Sequence, residues 1–173
     1  MNTTENPNQE PSKRASVPWW IGFVAALIVW EVVPWGISLL TVRYGWTAGR
    51  PGFWNLIGLI PVVVGTIGLI WGLSLHSAES PKGIEWELDK SYLLRRGPYS
   101  FSRHPMYLSE LTLLLGWVIF YRSIALLIFF VIWYLFFNYY AMPHEERILE
   151  AHFGEAYREY RNKVRRWFGK TRP

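Results

Sequence analysis

Hydrophobic and polar residues are segregated along this chain into long apolar runs with short charged segments between them. Four runs stand out, at about 18–40, 53–75, 106–121 and 124–142. The first two have roughly the 20 residues that a helix needs to cross about 30 Å of hydrocarbon. Only two residues separate the third run from the fourth, which predicts a tight antiparallel helical hairpin. The pattern as a whole predicts four transmembrane helices.

The segments that flank these runs are polar. Residues 1–17 are rich in Asn, Thr, Glu and Pro and lack the apolar core of a signal peptide, so we expect a disordered tail. In residues 144–168, apolar and aromatic residues recur every three or four positions opposite a basic face, which predicts an amphipathic helix at the membrane surface. We therefore predict an all-α, polytopic membrane protein in which residues 18–173 form a single membrane-embedded domain.

The composition supports a membrane protein. Of the 173 residues, 51% are hydrophobic and 11 are Trp, which is too apolar for a soluble domain of this length. There are no cysteines, so disulfides, thiolate metal sites and cysteine nucleophiles are excluded. No other feature of the sequence predicts a metal site.

The basic residues predict the orientation of the chain in the membrane. If the N-terminus lies in the cytoplasm, all of the 18 Lys and Arg residues except Arg43, Arg50 and Arg122 lie on the cytoplasmic side. Both termini and residues 76–103 would then be cytoplasmic, and we expect the protein in the inner, plasma membrane of the cell. The net charge of +5 fits anionic headgroups better than nucleic acid, because no nucleic-acid-binding motif accompanies it.

Candidate chemistry is concentrated at the start of the third run. Gly97-Pro98 is a turn signal, and Pro105 suits the first turn of a helix, where a missing N–H costs nothing. Arg103 and His104 are then held at the membrane surface beside free helix N–H groups, which suits an anionic or polar ligand. Taken alone, however, the pair is more typical of a topology-setting charge at Arg103 and a solvated loop residue at His104.

A second polar cluster, Pro143 to Glu146, begins where the fourth run leaves the membrane. Adjacent carboxylates could bind an amine or a ribose diol, or could simply be favourable charges at a helix N-terminus. Because the two helices of a hairpin run antiparallel, Arg103 and His104 should converge with Glu145 and Glu146 on one membrane face. Polar side chains within a membrane-spanning apolar hairpin are candidates for a functional role, because burying them in the bilayer is costly. In this hairpin they are Tyr107, Ser109, Glu110, Asn138 and Tyr139.

Taken together, these motifs resemble the isoprenylcysteine carboxyl methyltransferase family, which is related to the phospholipid N-methyltransferases. The resemblance covers roughly residues 93–167. The residues that carry it are Gly97-Pro98-Tyr99, Arg103-His104-Pro105, Tyr107, Glu145-Glu146, Leu149, Phe153-Gly154, Tyr157 and Tyr160. One departure is that the family usually has a Gly two residues after the Tyr, where this chain has Ser109, followed by Glu110.

The resemblance implies an enzyme that binds S-adenosylmethionine in a pocket at the cytoplasmic end of the hairpin, closed by the C-terminal helix and open to lipid for the acceptor. It implies cofactor-binding roles for Tyr99, His104, Pro105, Tyr107, Glu145 and Glu146. It also implies catalytic roles for Arg103, His104 and Glu146, and we place Glu110, Asn138 and Tyr139 near the acceptor. Transfer of a methyl group from a sulfonium needs alignment and partial desolvation rather than a metal or a covalent nucleophile.

The sequence does not identify the molecule that accepts the methyl group. A prenylated carboxylate needs no general base, whereas a lipid ammonium must first lose a proton, and His104 or a Glu is then the candidate base. One alternative is an NADPH-dependent membrane reductase, because sterol reductases have a similar Arg-His-Pro hairpin. Another is a non-catalytic membrane protein that binds lipid through its basic C-terminal helix.

Overall fold

The computed structural model describes Val24, residues 28–79 and residues 92–170. The predicted tail and all but one of residues 18–27 of the first predicted span lie outside the described residues. The helices and strands of the described part are, in chain order, α1 (Ile28–Ser38), β1 (Trp46–Thr47), β2 (Arg50–Pro51), α2 (Phe53–Leu56), α3 (Leu59–Glu79), a 3₁₀ turn (Gly97–Ser100), α4 (Pro105–Tyr121), α5 (Ile124–Phe153) and α6 (Glu155–Lys163).

Two helical stretches of the described chain, Phe53–Glu79 and Ile124–Phe153, are long and apolar enough to cross a membrane. α1 and α4 are apolar but shorter. Large apolar side chains cover the outside of the bundle, and Leu40 and Phe53 are each 75% exposed. A soluble monomer rarely presents so much apolar surface to water. The helices and their surface therefore indicate a membrane protein.

α3 packs closely against α4 because small residues line the contact. A Cβ atom on Gly65 would lie 2.6 Å from the carbonyl oxygen of Ser109, and one on Gly116 would lie 2.6 Å from the backbone nitrogen of Val62. Only glycine permits such an approach of two backbones, which is a common device where helices pack in lipid. This contact holds α4, and with it the residues at its N-terminal end.

Pro34 and the indole of Trp117 explain the irregular start of α1. Residues Ile28–Val32 are π-helical, and Pro34 follows them. Because Pro34 has no N–H, it cannot donate to the carbonyl of Trp30, and the indole Nε1 of Trp117 donates to that carbonyl instead at 2.9 Å. α1 is thereby fastened to α4.

The predicted hairpin is formed by α4 and α5. The turn between them uses Arg122 in the left-handed region, with φ of 47°. α5 does not end at the predicted limit of the apolar run but continues to Phe153, with a π-helical turn at Phe137–Ala141 just before Pro143. Its apolar part ends at about Met142, and the charged part beyond it carries the glutamate pair.

The predicted amphipathic helix at 144–168 is wrong in its extent. Gly154, with φ of 52°, separates the end of α5 from α6, and α6 ends at Lys163. Residues 164–170 then turn back toward the start of α4, and Val164 pairs with Lys170 in an isolated β-bridge. Helical periodicity alone could not reveal this break, because the apolar positions continue through Gly154 with the same spacing.

Candidate functional site

The returning C-terminal segment holds the start of α4 in place. The N–H of Arg103 donates to the carbonyl of Arg165 at 3.1 Å, and the N–H of Gly169 donates to the carbonyl of Phe101 at 2.8 Å. Ser102 connects both sides, since its hydroxyl donates to the carbonyl of Arg166 at 3.0 Å and accepts the N–H of His104 at 3.1 Å. Arg103 and His104 are therefore presented by a segment with a fixed backbone.

A buried carboxylate, Glu146, lies at the centre of the site. Its Oε1 is 3.1 Å from Nε2 of His104 and 3.3 Å from Nη1 of Arg103. Arg166 binds it through two hydrogen bonds, from Nε to Oε1 at 3.0 Å and from Nη2 to Oε2 at 2.7 Å. Glu145 faces the other nitrogen of the same imidazole, with its Oε2 3.4 Å from Nδ1. We call these five side chains the charged cluster.

Two members of the charged cluster, Glu146 and His104, have pKa values shifted toward their ionised forms. Burial opposes ionisation of Glu146, but hydrogen bonds from His104 and Arg166 and the charge of Arg103 outweigh burial and hold its pKa at about 2. Burial likewise opposes protonation of His104, yet the hydrogen bonds to Glu145 and Glu146 prevail and raise its pKa. The raised pKa favours the protonated form of an imidazole that lies between two carboxylates.

At the charged cluster, three buried groups make no hydrogen bond within the described residues, although one of them, Nη1 of Arg103, forms an ion pair with Glu146. They are Nε and Nη1 of Arg103 and the hydroxyl of Tyr157. Burial and the charge of Glu146 raise the pKa of Tyr157 to about 12, so its hydroxyl keeps its proton. Native proteins seldom leave buried donors unused, and such groups are where a polar ligand gains most.

Aromatic residues border the charged cluster. Tyr107 stacks on the His104 ring with centroids 5.5 Å apart. Tyr99, in the 3₁₀ turn, accepts a hydrogen bond at its backbone carbonyl from the hydroxyl of Tyr160, at 2.7 Å. Burial and the Glu145 carboxylate both raise the pKa of Tyr99. The predicted residues Tyr99, Pro105 and Tyr107 thus lie around the paired charges.

The three residues predicted near the acceptor differ in their placement. Glu110 is partly buried two helical turns beyond His104, and no hydrogen bond or ion pair to a described residue is formed by its carboxylate. Asn138 uses its side-chain oxygen to accept the indole N–H of Trp167 at 3.2 Å. Tyr139 is 74% exposed and is not brought to the cluster. The reason is helical geometry, since Phe137 is buried against Tyr107 and a residue two positions later points to the opposite side.

The sequence prediction missed two residues of the site. Arg166 belongs to a run of basic residues near the end of the described chain, and a headgroup-binding role explained it equally well. His76 lies at the end of α3, where it is buried and hydrogen-bonded to Tyr99. A histidine at the end of an apolar run was a usable signal, but only contacts across 23 residues of sequence reveal its partner.

An apolar groove of about 320 Å³ runs beside the site between α3 and α4. Gly65, Gly68 and Leu108 line it, and Ser102 and Pro105 form its end next to the charged cluster. The hydroxyls in its wall are internally bonded; that of Ser109, for example, donates to the carbonyl of Pro105 at 2.8 Å. The groove therefore offers an apolar surface of the size of a small-molecule site.

The hairpin and every member of the charged cluster except Arg166 lie within a region that matches a known protein family. Residues 85–156 match the family model described as phospholipid methyltransferase. An uncharacterized protein of Haemophilus influenzae is 40% identical over 62 residues, which are 36% of this chain and 98% of that protein. The arrangement of Arg103, His104 and the glutamate pair at one end of a helical hairpin agrees with the motifs that carried the resemblance. By this match to the family model, residues 85–156 of the chain belong to the phospholipid methyltransferase family, within the group of membrane methyltransferases that also includes the isoprenylcysteine carboxyl methyltransferases.

Proposed function

We propose that this protein transfers a methyl group from S-adenosylmethionine to a hydrophobic or membrane-borne acceptor at the cytoplasmic face of the membrane. The observation that carries the proposal is the set of unused buried hydrogen-bonding groups on Arg103 and Tyr157, next to ionised carboxylates. The family supports methyl transfer as the reaction.

The residues of the site fit the parts of S-adenosylmethionine. Arg103, whose guanidinium has unused donors, would bind the carboxylate of the methionine moiety. Glu145, at the edge of the charged cluster, would accept from the ammonium or from the ribose hydroxyls. The rings of Tyr99 and Tyr107 would lie against the adenine or the cationic sulfur. Glu146 binds Arg103, His104 and Arg166 at once, so in this proposal it holds the other residues in position.

When bound, S-adenosylmethionine supplies an electrophilic methyl group on a sulfonium. The chain supplies alignment and a dry site: α4 and the returning segment fix Arg103, and the aromatic side chains exclude water. The two carboxylates beside His104 raise the pKa of its imidazole and so favour the protonated form, which cannot accept a proton. A protic acceptor would have to deliver its proton to another carboxylate, and Glu110, which has no described partner, is the candidate base.

The hydrocarbon part of the acceptor would occupy the apolar groove. The groove ends at Ser102 and Pro105, which flank the residues assigned to the cofactor, so one molecule could reach both regions. Glu110 would contact the polar end of the acceptor. Asn138 and Tyr139 contribute less, because the first is bonded to Trp167 and the second faces outward.

Ligand-dependent stability of the purified protein in detergent tests the cofactor assignment. We expect S-adenosylmethionine and S-adenosylhomocysteine to raise the unfolding temperature and NADPH to leave it unchanged, because only a ligand that prefers the folded state stabilises it. Stabilisation by NADPH alone would support a membrane reductase instead. With neither ligand effective, a non-catalytic lipid-binding role would be favoured.

Arg103→Lys, with Arg158→Lys as its matched control, localises the binding site. Lysine keeps the charge at position 103 but loses the planar fork that binds a carboxylate, so we expect at least a tenfold loss of affinity for S-adenosylhomocysteine. Arg158 is 53% exposed in a surface ion pair, and its replacement should leave the affinity unchanged. In membranes, Arg103→Lys should also reduce the incorporation of labelled methyl groups into lipid-extractable material, and Arg158→Lys should not.

Four spans with both termini in the cytoplasm complete the proposal, and the absence of natural cysteines makes the orientation easy to test. Single cysteines at the exposed positions Thr47 and Lys170 should label differently with an impermeant maleimide in intact cells. We expect labelling at 47 without permeabilisation and at 170 only after it. Labelling of both in intact cells would rule out the cytoplasmic site.

A further inference from the structure

His76 lies outside the part of the chain that matches the family, yet it contacts the site. It is 6% exposed in the last turn of α3. Its Nε2 is 2.7 Å from the hydroxyl of Tyr99, and its Nδ1 is 2.8 Å from the hydroxyl of Tyr92. One buried imidazole therefore joins the end of a long helix to the tyrosine of the 3₁₀ turn.

Tyr99 is held at both of its ends. The hydroxyl of Tyr160 in α6 donates to its backbone carbonyl, and His76 binds its side-chain hydroxyl. The His76 and Tyr99 rings meet edge to face with centroids 5.7 Å apart. Two helices, α3 and α6, thus restrain Tyr99, one through its side chain and the other through its backbone.

The hydrogen-bond directions follow from the partners. A neutral imidazole has one donor and one acceptor nitrogen. The hydroxyl of Tyr92 donates to the backbone carbonyl of His76 at 3.4 Å, so its oxygen is available to accept the Nδ1–H. In the tautomer with Nδ1 protonated, Nε2 is the acceptor and the Tyr99 hydroxyl donates to it. The lone pairs of the Tyr99 oxygen then remain for another donor.

We propose that His76 is a positioning residue that holds Tyr99 at the cofactor site and fixes its hydroxyl as a hydrogen-bond acceptor. The cofactor group it would receive is itself a donor, the ammonium of the amino-acid moiety or a ribose hydroxyl. The inference rests on the proposed function, because Tyr99 affects cofactor affinity only if the cofactor binds there. It adds to that function a residue from the part of the chain without family signature.

Substitution of His76 by Gln or by Asn distinguishes its hydrogen bond to Tyr99 from its hydrogen bond to Tyr92. The amide of Gln reaches about the position of Nε2, and that of Asn reaches about the position of Nδ1. His76→Gln should therefore retain the bond to Tyr99, whereas His76→Asn should retain only the bond to Tyr92. Tyr99→Phe removes the hydroxyl itself and keeps the ring, so it provides a second measurement that does not depend on the folding of a His76 variant.

The measurement is the affinity of the purified full chain in detergent for S-adenosylhomocysteine, by calorimetry. We expect His76→Asn and Tyr99→Phe each to weaken binding by about tenfold, the value of one hydrogen bond, and His76→Gln to stay within about threefold of the unsubstituted protein. The double variant His76→Asn, Tyr99→Phe should bind no more weakly than Tyr99→Phe alone, because both changes remove the same interaction.

Three results would overturn the inference: unchanged affinity in His76→Asn, unchanged affinity in Tyr99→Phe, or equal losses in the Asn and Gln variants, which would indicate general packing. Each of these leaves binding by the unsubstituted protein intact and so leaves the proposed function standing. If the unsubstituted protein itself does not bind S-adenosylhomocysteine, the proposed function fails and the role of His76 fails with it.

Discussion

The two ends of the α4–α5 hairpin are built from different chemistry. At the turn end, neutral groups bind backbone carbonyls: Nδ2 of Asn55 donates to the carbonyl of Phe120 at 2.8 Å, and the indole of Trp46 donates to the same carbonyl at 3.2 Å. At the other end, three cationic side chains surround Glu146.

The two ends differ in which buried hydrogen-bonding groups have no partner. At the turn end, the buried side-chain group that has no hydrogen-bond partner in the described chain is an acceptor, Oδ1 of Asn55. At the charged end, donors of Arg103 and Tyr157 are unused beside ionised carboxylates. The turn end fixes the architecture, and the charged end combines architecture with a capacity for a ligand.

The largest expected effect comes from Glu146→Gln. Removing this charge leaves three cations without their shared counterion in a buried place, and breaking a buried ion pair costs about 3–5 kcal/mol of unfolding free energy. We expect a loss of that size in detergent denaturation, together with weaker binding of S-adenosylhomocysteine. A loss below about 1 kcal/mol would show that Glu146 is not the centre of the charged end.

Acid should weaken the charged end by a somewhat smaller amount. The pKa of Glu146 is lowered from 4.5 to about 2, so the stability it contributes is present above pH 4.5 and is lost as the pH falls through 2. The size of the shift corresponds to about 3 kcal/mol at most. Denaturation midpoints measured from pH 6 to pH 2 should fall less steeply in Glu146→Gln than in the unsubstituted protein.

The histidine of the charged end predicts the opposite slope at higher pH. Because the pKa of His104 is raised above 6.5, the stability it contributes is present below that value and declines as the pH rises through the folded-state pKa. In His104→Gln, the unfolding free energy measured by denaturation should decline less as the pH rises. An unchanged slope would indicate that the imidazole is neutral in the folded protein.

The smallest expected effect is at the turn end. Asn55→Ala removes the donor to two carbonyls, those of Tyr44 and Phe120, and should cost about 1–3 kcal/mol of unfolding free energy. The affinity for S-adenosylhomocysteine should stay unchanged, because the substitution lies at the far end of the hairpin. Weaker cofactor binding in this variant would mean that the two ends are not independent.

Much of the helical architecture could be predicted from the sequence, because apolar runs and prolines mark it locally. Pro105 begins α4, and the two polar residues after Tyr121 form the turn, as expected. The meeting of Arg103 and His104 with the glutamate pair also followed from the antiparallel hairpin. These features depend on spacing along the chain, which a sequence displays directly.

The rest depends on contacts between distant segments. Arg166 reaches Glu146 only because the chain breaks at Gly154 and again after Lys163, and neither break interrupts the apolar periodicity. The continuation of α5 beyond the apolar run was hidden by Pro143, which usually limits a helix and here follows a π-helical turn. Tyr139 faces outward because Phe137, two residues earlier on the same helix, occupies the hairpin interior.

The return of residues 164–170 to Phe101 and Arg103 has a consequence for biosynthesis. The ribosome makes these residues some sixty positions after the segment they hold, so the hairpin can enter the bilayer before its polar end is finished. Until Gly169 has been added and the returning stretch has docked, Glu146 lacks Arg166 and the segment that presents Arg103 lacks its backbone partners. The nascent chain therefore acquires its transmembrane framework first and its reactive centre last.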